Sequence, residues 1–215
     1  MNKAVLFDLD GTVMDSLLDL TDAMNAMLIK FGFNVITPEQ MRAVLGAPSR
    51  EIVRLSINKQ ISEQLLDECL DSYTEFYVGG KSPKTFVFDG IKNVIDQLKK
   101  RGFKIFAVTN KPVHEIEPIK ERLLVPLGFD KVLGVTDGVE PKPNPKGTLN
   151  LLKEFDIKPE NAYFVGDGET DVLTAINAKV NCIAVLWGNR DKEFLSKYGA
   201  TTFAKNPEEL LEIIK

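Results

Sequence analysis

The sequence lacks paired cysteines, an excess of positive charge and long apolar runs, and each absence excludes a class of protein. Its two cysteines, Cys69 and Cys182, lack the paired spacing of a zinc site or a redox motif. Positive charge is not in excess, since 27 Lys and Arg residues stand against 31 Asp and Glu residues, which disfavours nucleic acid as a partner. No apolar run reaches transmembrane length, and the chain starts with a strand-like segment rather than a signal peptide. We therefore expect a cytoplasmic protein that binds neither nucleic acid nor membranes.

Apolar runs of strand length alternate with segments of helical period along most of the 215 residues. This alternation is typical of a parallel sheet with helices on both faces. The predicted strands are residues 3–7, 104–109, 131–135, 161–165 and 182–186, and the predicted helices are residues 91–101, 113–125, 145–155 and 170–178. The predicted fold class is therefore α/β, with a doubly wound, Rossmann-like parallel sheet.

One interval interrupts the alternation. Residues 15–83 contain only amphipathic helical pattern, with helices predicted at residues 17–31, 49–57 and 62–77 and another beginning at Pro38 behind the N-cap Thr37. We interpret residues 15–83 as an inserted all-helical cap domain that returns through Gly79 and Gly80, and residues 1–14 and 84–215 as the core domain. Because the insertion follows the carboxyl end of the first strand, it is expected to cover the ligand-binding crevice of the sheet.

Two carboxylates directly follow the first predicted strand. Asp8 and Asp10 are two residues apart, so they share one face of the strand while Leu9 points into the packing. Carboxylates this close repel each other unless a cation or a shared proton intervenes. The pair indicates metal-assisted chemistry on an anionic group, and an Asp-Gly turn at Asp10 and Gly11 is the structural alternative.

Small polar and basic residues follow the next predicted strands. Thr109 and Asn110 end the second core strand, where they can bind phosphate oxygens or cap the following helix. Lys142 lies between two prolines that stiffen its backbone, so its ammonium group can balance carboxylate and phosphate charge; a solvated loop lysine is the alternative.

Acidic residues are dense after the strand at residues 161–165. Asp167 can reach a cation that Asp8 also holds, and Asp171 can orient Lys142 or a metal-bound water. A favourable charge in the first turn of a helix would also explain Asp171. The side chains from these strand ends are expected to converge on one crevice.

The motifs resemble, in order, the four motifs of the haloacid dehalogenase superfamily, and the resemblance covers nearly the whole chain. They are residues 8–12, 109–111, 142–143 and 166–171. The insertion resembles the alpha-helical cap of the phosphoglycolate phosphatase-like branch, and finer matches at residues 15–16, 108–112 and 185–190 agree. The chain departs from the family pattern at Gly168, Lys179 and Asn189, where serine, glycine and an aromatic residue are common.

The resemblance implies a Mg²⁺-dependent phosphatase that acts on a small phosphorylated metabolite through an aspartyl-phosphate intermediate. Asp8 would be the nucleophile, and Asp10 would be the acid that protonates the leaving group and then the base that activates water. The carboxylates of Asp8 and Asp167 and the backbone carbonyl of Asp10 would bind Mg²⁺.

The resemblance also implies residues that hold the substrate. The phosphoryl oxygens would be bound by Thr109, the backbone amide of Asn110 and Lys142. Asp171 would orient these groups without touching the substrate. In the cap, Arg50 follows a glycine-bent loop and matches carboxylate or phosphate geometry, so we expect it to contact the substrate or, equally, to lie on a solvated helix turn. The only histidine, His114, is expected at the surface, which disfavours histidine-based phosphatase chemistry.

Other functions remain open from the sequence. Within the same branch, the protein could be a pyrophosphatase or a 5′-nucleotidase, or a β-phosphoglucomutase-like phosphosugar mutase, although Thr12 favours hydrolysis because the resembling mutases often carry valine there. A receiver-type signalling domain also places Asp, Thr and Lys at strand ends, but it needs neither Asp10 as acid and base nor a helical cap. A catalytically silent interaction protein would not need the complete set of carboxylates. The expected oligomeric state is a monomer or a weak homodimer.

Overall fold

The computed structural model describes residues 2–136 and 140–215. Its strands are β1 (Lys3–Phe7), β2 (Met14–Asp15), β3 (Phe86–Val87), β4 (Phe103–Pro112), β5 (Lys131–Val135), β6 (Ala162–Gly166), β7 (Asn181–Val185) and β8 (Phe203–Ala204). Its helices are α1 (Leu17–Lys30), α2 (Pro38–Val44), α3 (Ser49–Ile57), α4 (Glu63–Gly80), α5 (Ile91–Lys100), α6 (Val113–Ile119), α7 (Lys146–Glu154), α8 (Glu169–Ala178), α9 (Lys192–Lys197) and α10 (Leu210–Ile213). Over this part of the chain, no helix combines the length and the apolar character that a membrane crossing requires.

The main sheet is parallel and doubly wound, as the alternation of the sequence predicts. Its strand order is β5-β4-β1-β6-β7-β8, with β1 hydrogen-bonded to β4 on one side and to β6 on the other. Val5 and Phe7 pack into a core with α5 and α6, whereas Ala4 and Leu6 pack into a second core with α7 and α8. Alternate residues of β1 thus bury both faces of the sheet, and Asp8 directly follows this central strand.

Helices α1–α4 form a cap with a hydrophobic core of its own. The predicted N-cap is confirmed, because Thr37 and Gln40 form a reciprocal capping box around Pro38. Two details differ from the prediction. Helix α4 continues through Gly79 and Gly80 instead of ending before them, and β2 pairs antiparallel with β3 where the chain enters and leaves the cap. A ribbon this short carries too little periodicity to be recognised in a sequence.

The predicted helix at residues 113–125 is shorter in the structure. Helix α6 ends at Ile119, and a π-helical turn at Lys120–Leu124 followed by a 3₁₀ turn at Val125–Leu127 takes its place. Pro118 lies inside α6 and lacks the backbone N–H that a continuing α-helix would use, which accounts for the change of helical pitch. Helix α9 and strand β8 were not predicted and are both short.

Candidate active site

The parallel sheet brings the predicted site residues to one edge. Asp8 follows β1, Thr109 and Asn110 lie near the end of β4, and Lys142 precedes α7. These four residues and Asp10 line one cavity of about 30 Å³, which cap residues Leu45, Gly46 and Ser49 close from above. The carboxyl ends of parallel strands meet at a common edge, and the cap lies over that edge.

Lys142 joins two of the carboxylates. Its Nζ lies 2.6 Å from Asp8 Oδ1 and 2.6 Å from Asp171 Oδ1, and all three side chains are buried. Burial raises the pKa of Asp8 well above its usual value, although the Lys142 ammonium acts in the opposite direction. Burial disfavours the charged form of Lys142, but Asp171 and Asp8 outweigh this effect and raise its pKa, so the lysine stays protonated. Asp171 also accepts a hydrogen bond from the Gly168 N–H (3.0 Å), which orients its carboxylate toward Lys142.

Thr109 and Asn110 play different parts in this geometry. The Thr109 hydroxyl accepts a hydrogen bond from the Lys111 N–H (3.1 Å) and retains its own proton for a ligand oxygen. The Asn110 side chain instead accepts from the Lys142 N–H (2.7 Å) and donates to the Lys142 carbonyl (3.1 Å) and the Gly46 carbonyl (2.9 Å). Asn110 therefore connects the segment at Lys142 to β4, and it connects the core to the cap at Gly46.

The turn after β1 separates the two aspartates. The backbone N–H groups of Thr12, Val13 and Met14 all donate to the Leu9 carbonyl, and Leu9 itself is fully buried in the core. Gly11 has φ +93°, and a Cβ at this position would lie 2.2 Å from Asp167 Oδ2, so the turn requires glycine here. The turn presents Asp10 to the same cavity as Asp8.

Asp167 is held by residues from two other segments. The Thr12 hydroxyl donates to Oδ1 (3.0 Å), and the backbone and side-chain N–H groups of Asn189 donate to Oδ2 (2.7 and 2.8 Å). Burial, with Asp171 as the next contributor, raises the pKa of Asp167 to about 6. Asn189 is one of the positions at which the sequence departs from the family pattern, and here it orients a carboxylate of the site.

These carboxylates fit a divalent cation. Asp8, Asp167 and Asp171 each offer an oxygen, and the three oxygens lie within 4.8 Å of one another. A set of buried oxygen donors is what Mg²⁺ selects in proteins. The raised pKa values of Asp8 and Asp167 also indicate a cation site, because burying carboxylates together is costly until a cation joins them. Asp8 and Asp167 would hold the ion, since Asp171 already uses both oxygens on Lys142 and Gly168.

Stabilisation of the protein by Mg²⁺ is expected to depend on pH. A carboxyl group whose pKa is raised on folding stabilises the native state below its unfolded pKa, and this contribution is lost as the pH rises through about 6. The metal-free protein is therefore expected to lose stability across this window, and Mg²⁺ bound by the deprotonated carboxylates would restore it. We expect a larger Mg²⁺-induced rise in Tm at about pH 7.5 than at about pH 5. Thermal unfolding with EDTA or MgCl₂ measures this, Asp167→Asn should lose most of the rise, and equal rises at both pH values would contradict the assignment.

Two charged residues near the site were not assigned a role from the sequence. Lys111 is buried, with its Nζ 3.2 Å from Asp10 Oδ2, and Glu115 lies four residues further on in α6 and accepts a hydrogen bond from the Ser49 hydroxyl (3.0 Å). Burial raises the pKa of Glu115. Because Lys111 belongs to β4 and Glu115 lies in the following helix, no helical spacing in the sequence indicated this pair.

Arg190 connects the core to the cap. Its guanidinium donates to the backbone carbonyls of Arg42 (2.6 Å), Ala43 (3.0 Å) and Leu45 (3.2 Å) at the end of α2, and it pairs with Glu169 (3.3 Å). The last carbonyls of a helix have no partners within the helix, and a cation satisfies them well. A core arginine thus serves as the C-terminal cap of a helix in the cap domain.

Removing this contact is expected to weaken substrate capture. Arg190→Ala frees the α2 carbonyls, lowers the population of the closed cap and should reduce kcat/KM about tenfold. Steady-state kinetics measures the loss, and hydrogen exchange should quicken at the backbone amides of α2. The matched control is Arg54→Ala, because Arg54 is a half-exposed cap arginine paired with Glu63. Unchanged kcat/KM and unchanged exchange in Arg190→Ala would disprove a role in closure.

Of the two expectations for Arg50, the structure favours a position away from the cavity that contains Asp8, and contact with the substrate stays a prediction. The Arg50 guanidinium pairs with Glu63 (2.9 Å) and Asp67 (2.7 Å) at the start of α4, on the exposed side of the cap. The neighbouring residue Ser49, rather than Arg50, lines the cavity that contains Asp8. The two carboxylates of α4 pair with the arginine, which borders a second, wider crevice next to that cavity.

Comparisons with known proteins agree with this geometry. The family model described as haloacid dehalogenase-like hydrolase matches residues 5–185. The phosphoglycolate phosphatase 1 of Pseudomonas aeruginosa is 31% identical over 97% of this chain and 78% of its own length, and a phosphoglycolate phosphatase of Xanthomonas campestris is 33% identical over 98% and 95%. A crystal structure of a protein assigned as a phosphoglycolate phosphatase, from Lactobacillus delbrueckii, superposes with a TM-score of 0.89 at 30% identity, over 100% of this chain and 99% of that one.

The chain belongs to the haloacid dehalogenase-like hydrolases. The match includes Asp8, Asp10, Lys142 and Asp167, whereas Asn189 and Arg190 lie beyond its end. The curated relatives are phosphatases, and this protein is likewise a phosphatase.

Proposed function

We propose that the protein is a Mg²⁺-dependent phosphatase that hydrolyses phosphoglycolate or a phosphomonoester of similar size through an aspartyl-phosphate intermediate. The observation that carries the proposal is the buried Asp8, paired with Lys142 at 2.6 Å and facing the same cavity as Asp10. The relatives named phosphoglycolate phosphatases support the substrate class.

In the first half of the reaction, an Asp8 carboxylate oxygen attacks phosphorus as the bond to the leaving-group oxygen breaks. Asp10, in its protonated form, donates its proton to that oxygen, so the leaving group departs as an alcohol. The Thr109 hydroxyl, the Asn110 backbone N–H and Lys142 hold the phosphoryl oxygens in place. When bound, Mg²⁺ supplies the positive charge that offsets repulsion between the Asp8 carboxylate and the phosphate dianion.

In the second half, the aspartyl phosphate is hydrolysed. Asp10 now carries no proton and takes one from a water molecule, whose oxygen attacks phosphorus and releases the Asp8 carboxylate. Lys142 remains charged throughout, because its pKa is raised by Asp171 and Asp8 against the opposing effect of burial. Asp171 thus acts by holding Lys142.

The dimensions of the cavity favour a small leaving group. The space around Asp8 is about 30 Å³, and the apolar side chains of Leu20, Leu45 and Ile52 border it. A much wider crevice of about 770 Å³ adjoins it at Ser49, Asn110 and Glu115, and provides a route for substrate and product. A long leaving group such as a nucleoside would have to extend from this small space into the wider crevice.

A phosphate-release screen tests the proposal. The substrates are phosphoglycolate, pyrophosphate, nucleoside monophosphates and sugar phosphates, each with MgCl₂ or EDTA. Mg²⁺-dependent release that is fastest for phosphoglycolate or another short phosphomonoester is the expected result. Isomerisation of a sugar phosphate without net phosphate release would establish a mutase instead, and absence of metal-dependent release from every substrate would overturn the proposal.

A cytoplasmic location and a monomeric or weakly dimeric state are parts of the same proposal. The structure contains two free thiols, at Cys69 and Cys182, which is typical of proteins in a reducing compartment. Fractionation of cells and gel filtration at several protein concentrations test these two points.

A further inference from the structure

Lys111 is a buried cation beside Asp10, and it has no role in the two reaction steps described under the proposed function. Its side chain is 2% exposed. Its ammonium group lies 3.2 Å from Asp10 Oδ2 and donates a hydrogen bond to the Tyr77 hydroxyl (3.2 Å). Burying a lysine is costly, so its position calls for compensation by the groups around it.

Those groups come from the core and from the cap. Asp10 belongs to the turn after β1, Glu115 in α6 approaches to 3.9 Å, and the ring of Tyr77 in α4 has its centroid 4.4 Å from the ammonium nitrogen. Burial disfavours the charged form of Lys111, yet Asp10 and the neighbouring groups raise its pKa well above the usual value. Lys111 therefore remains a cation in the closed protein, with Asp10 as its nearest carboxylate.

Both oxygens of Asp10 are held. The Ser16 hydroxyl donates to Oδ1, and Lys111 approaches Oδ2 at 3.2 Å. Proton transfer requires the carboxyl group within hydrogen-bond reach of the leaving-group oxygen, and its rate falls steeply when the group is free to rotate away. The cation on Oδ2 limits that rotation.

We propose that Lys111, steadied by the cap residue Tyr77, is a positioning residue that holds Asp10 toward the leaving-group oxygen. This inference rests on the proposed function, in which Asp10 protonates the leaving group. It also assigns a catalytic reason to the contact between α4 and β4, because Tyr77 completes the surroundings of Lys111 from the cap side.

The test compares two leaving groups that differ in their need for a proton. An alkyl monophosphate that the wild-type protein hydrolyses, phosphoglycolate first among them, releases an alkoxide that must be protonated. Acetyl phosphate is of similar size and releases acetate, which departs as a stable anion. Because kcat/KM covers the steps through departure of the leaving group, the comparison isolates the acid role of Asp10.

Lys111→Met is expected to lower kcat/KM for the alkyl monophosphate by about tenfold or more and for acetyl phosphate by about threefold or less. Asp10→Asn should show the same selectivity with larger losses. Tyr77→Phe, which removes one hydroxyl and keeps the ring, should show it with smaller losses and guards against misfolding of Lys111→Met. The control is Lys84→Met, since Lys84 is an exposed lysine paired with Asp22, and it should leave both substrates unaffected.

Equal losses on both substrates in Lys111→Met and Tyr77→Phe would make Lys111 a structural cation and overturn the inference, as would unchanged kinetics in both variants. Failure of the proposed function looks different. In that case the wild-type protein itself would hydrolyse no alkyl monophosphate in the presence of Mg²⁺.

Discussion

Replacing Asp8 with asparagine is expected to reduce phosphate release by about 10⁴-fold or more, because the amide cannot form the aspartyl phosphate. Protein quenched in acid after mixing with a ³²P-labelled substrate should carry label in the wild type and none in Asp8→Asn. The fold should survive, since burial already raises the pKa of Asp8 and thus favours a neutral group at this position. Melting temperature without metal separates loss of chemistry from loss of structure.

The matched control for this change is Asp22→Asn. Asp22 is an exposed carboxylate of α1 that pairs with Lys84, and its replacement should leave turnover within about twofold of the wild type. Full activity in Asp8→Asn would show that another residue attacks phosphorus, and the mechanism proposed here would then be wrong.

Lys142→Met is expected to impair both stability and activity. It removes the cation between Asp8 and Asp171, each 2.6 Å from Nζ, and leaves two buried carboxylates without their partner. Breaking a buried pair in this way costs about 3–5 kcal/mol of unfolding free energy. Turnover should fall by about 10³-fold, because the charge that holds the phosphoryl oxygens is lost as well. Urea unfolding in EDTA and steady-state kinetics measure the two effects.

A double-mutant cycle separates these effects. Asp171→Asn in the Lys142→Met background removes one of the unpaired carboxylates, so about 1–3 kcal/mol of the lost stability should return. Activity should not return, since the ammonium group is still missing. If the second substitution also restored turnover, Lys142 would be a structural residue and not a phosphate ligand.

The edge of the sheet that carries the site could be predicted because its residues follow strands. Parallel strands place their carboxyl ends together, and the structure brings Asp8, Lys142 and Asp171 into direct contact there. The alternation of apolar segments likewise predicted the sheet and the helical cap. The roles assigned to these residues in catalysis remain predictions that the variants above can test.

Contacts between distant segments could not be predicted in the same way. Arg190 binds backbone carbonyls about 145 positions earlier in the chain. Because every residue has a backbone carbonyl, the sequence does not show which one an arginine binds. Asn189 was recognised only as a departure from a family pattern, whereas its two hydrogen bonds to Asp167 are evident from geometry. The sequence left two positions open for Arg50, because the acidic residues that bind it belong to the next helix, whose orientation the sequence does not specify.

The short ribbon of β2 and β3 has a consequence for how such a protein can change. Met14 pairs with Val87 and Asp15 with Phe86, so the two crossings between the domains lie side by side. An insertion whose ends already meet adds little loop-closure entropy when its length changes. The cap can therefore be lengthened, shortened or exchanged between relatives while the strands that carry the aspartates stay in register. Grafting caps at residues 15 and 86 should accordingly transfer substrate preference between members of the family, with the chemistry left to the recipient core.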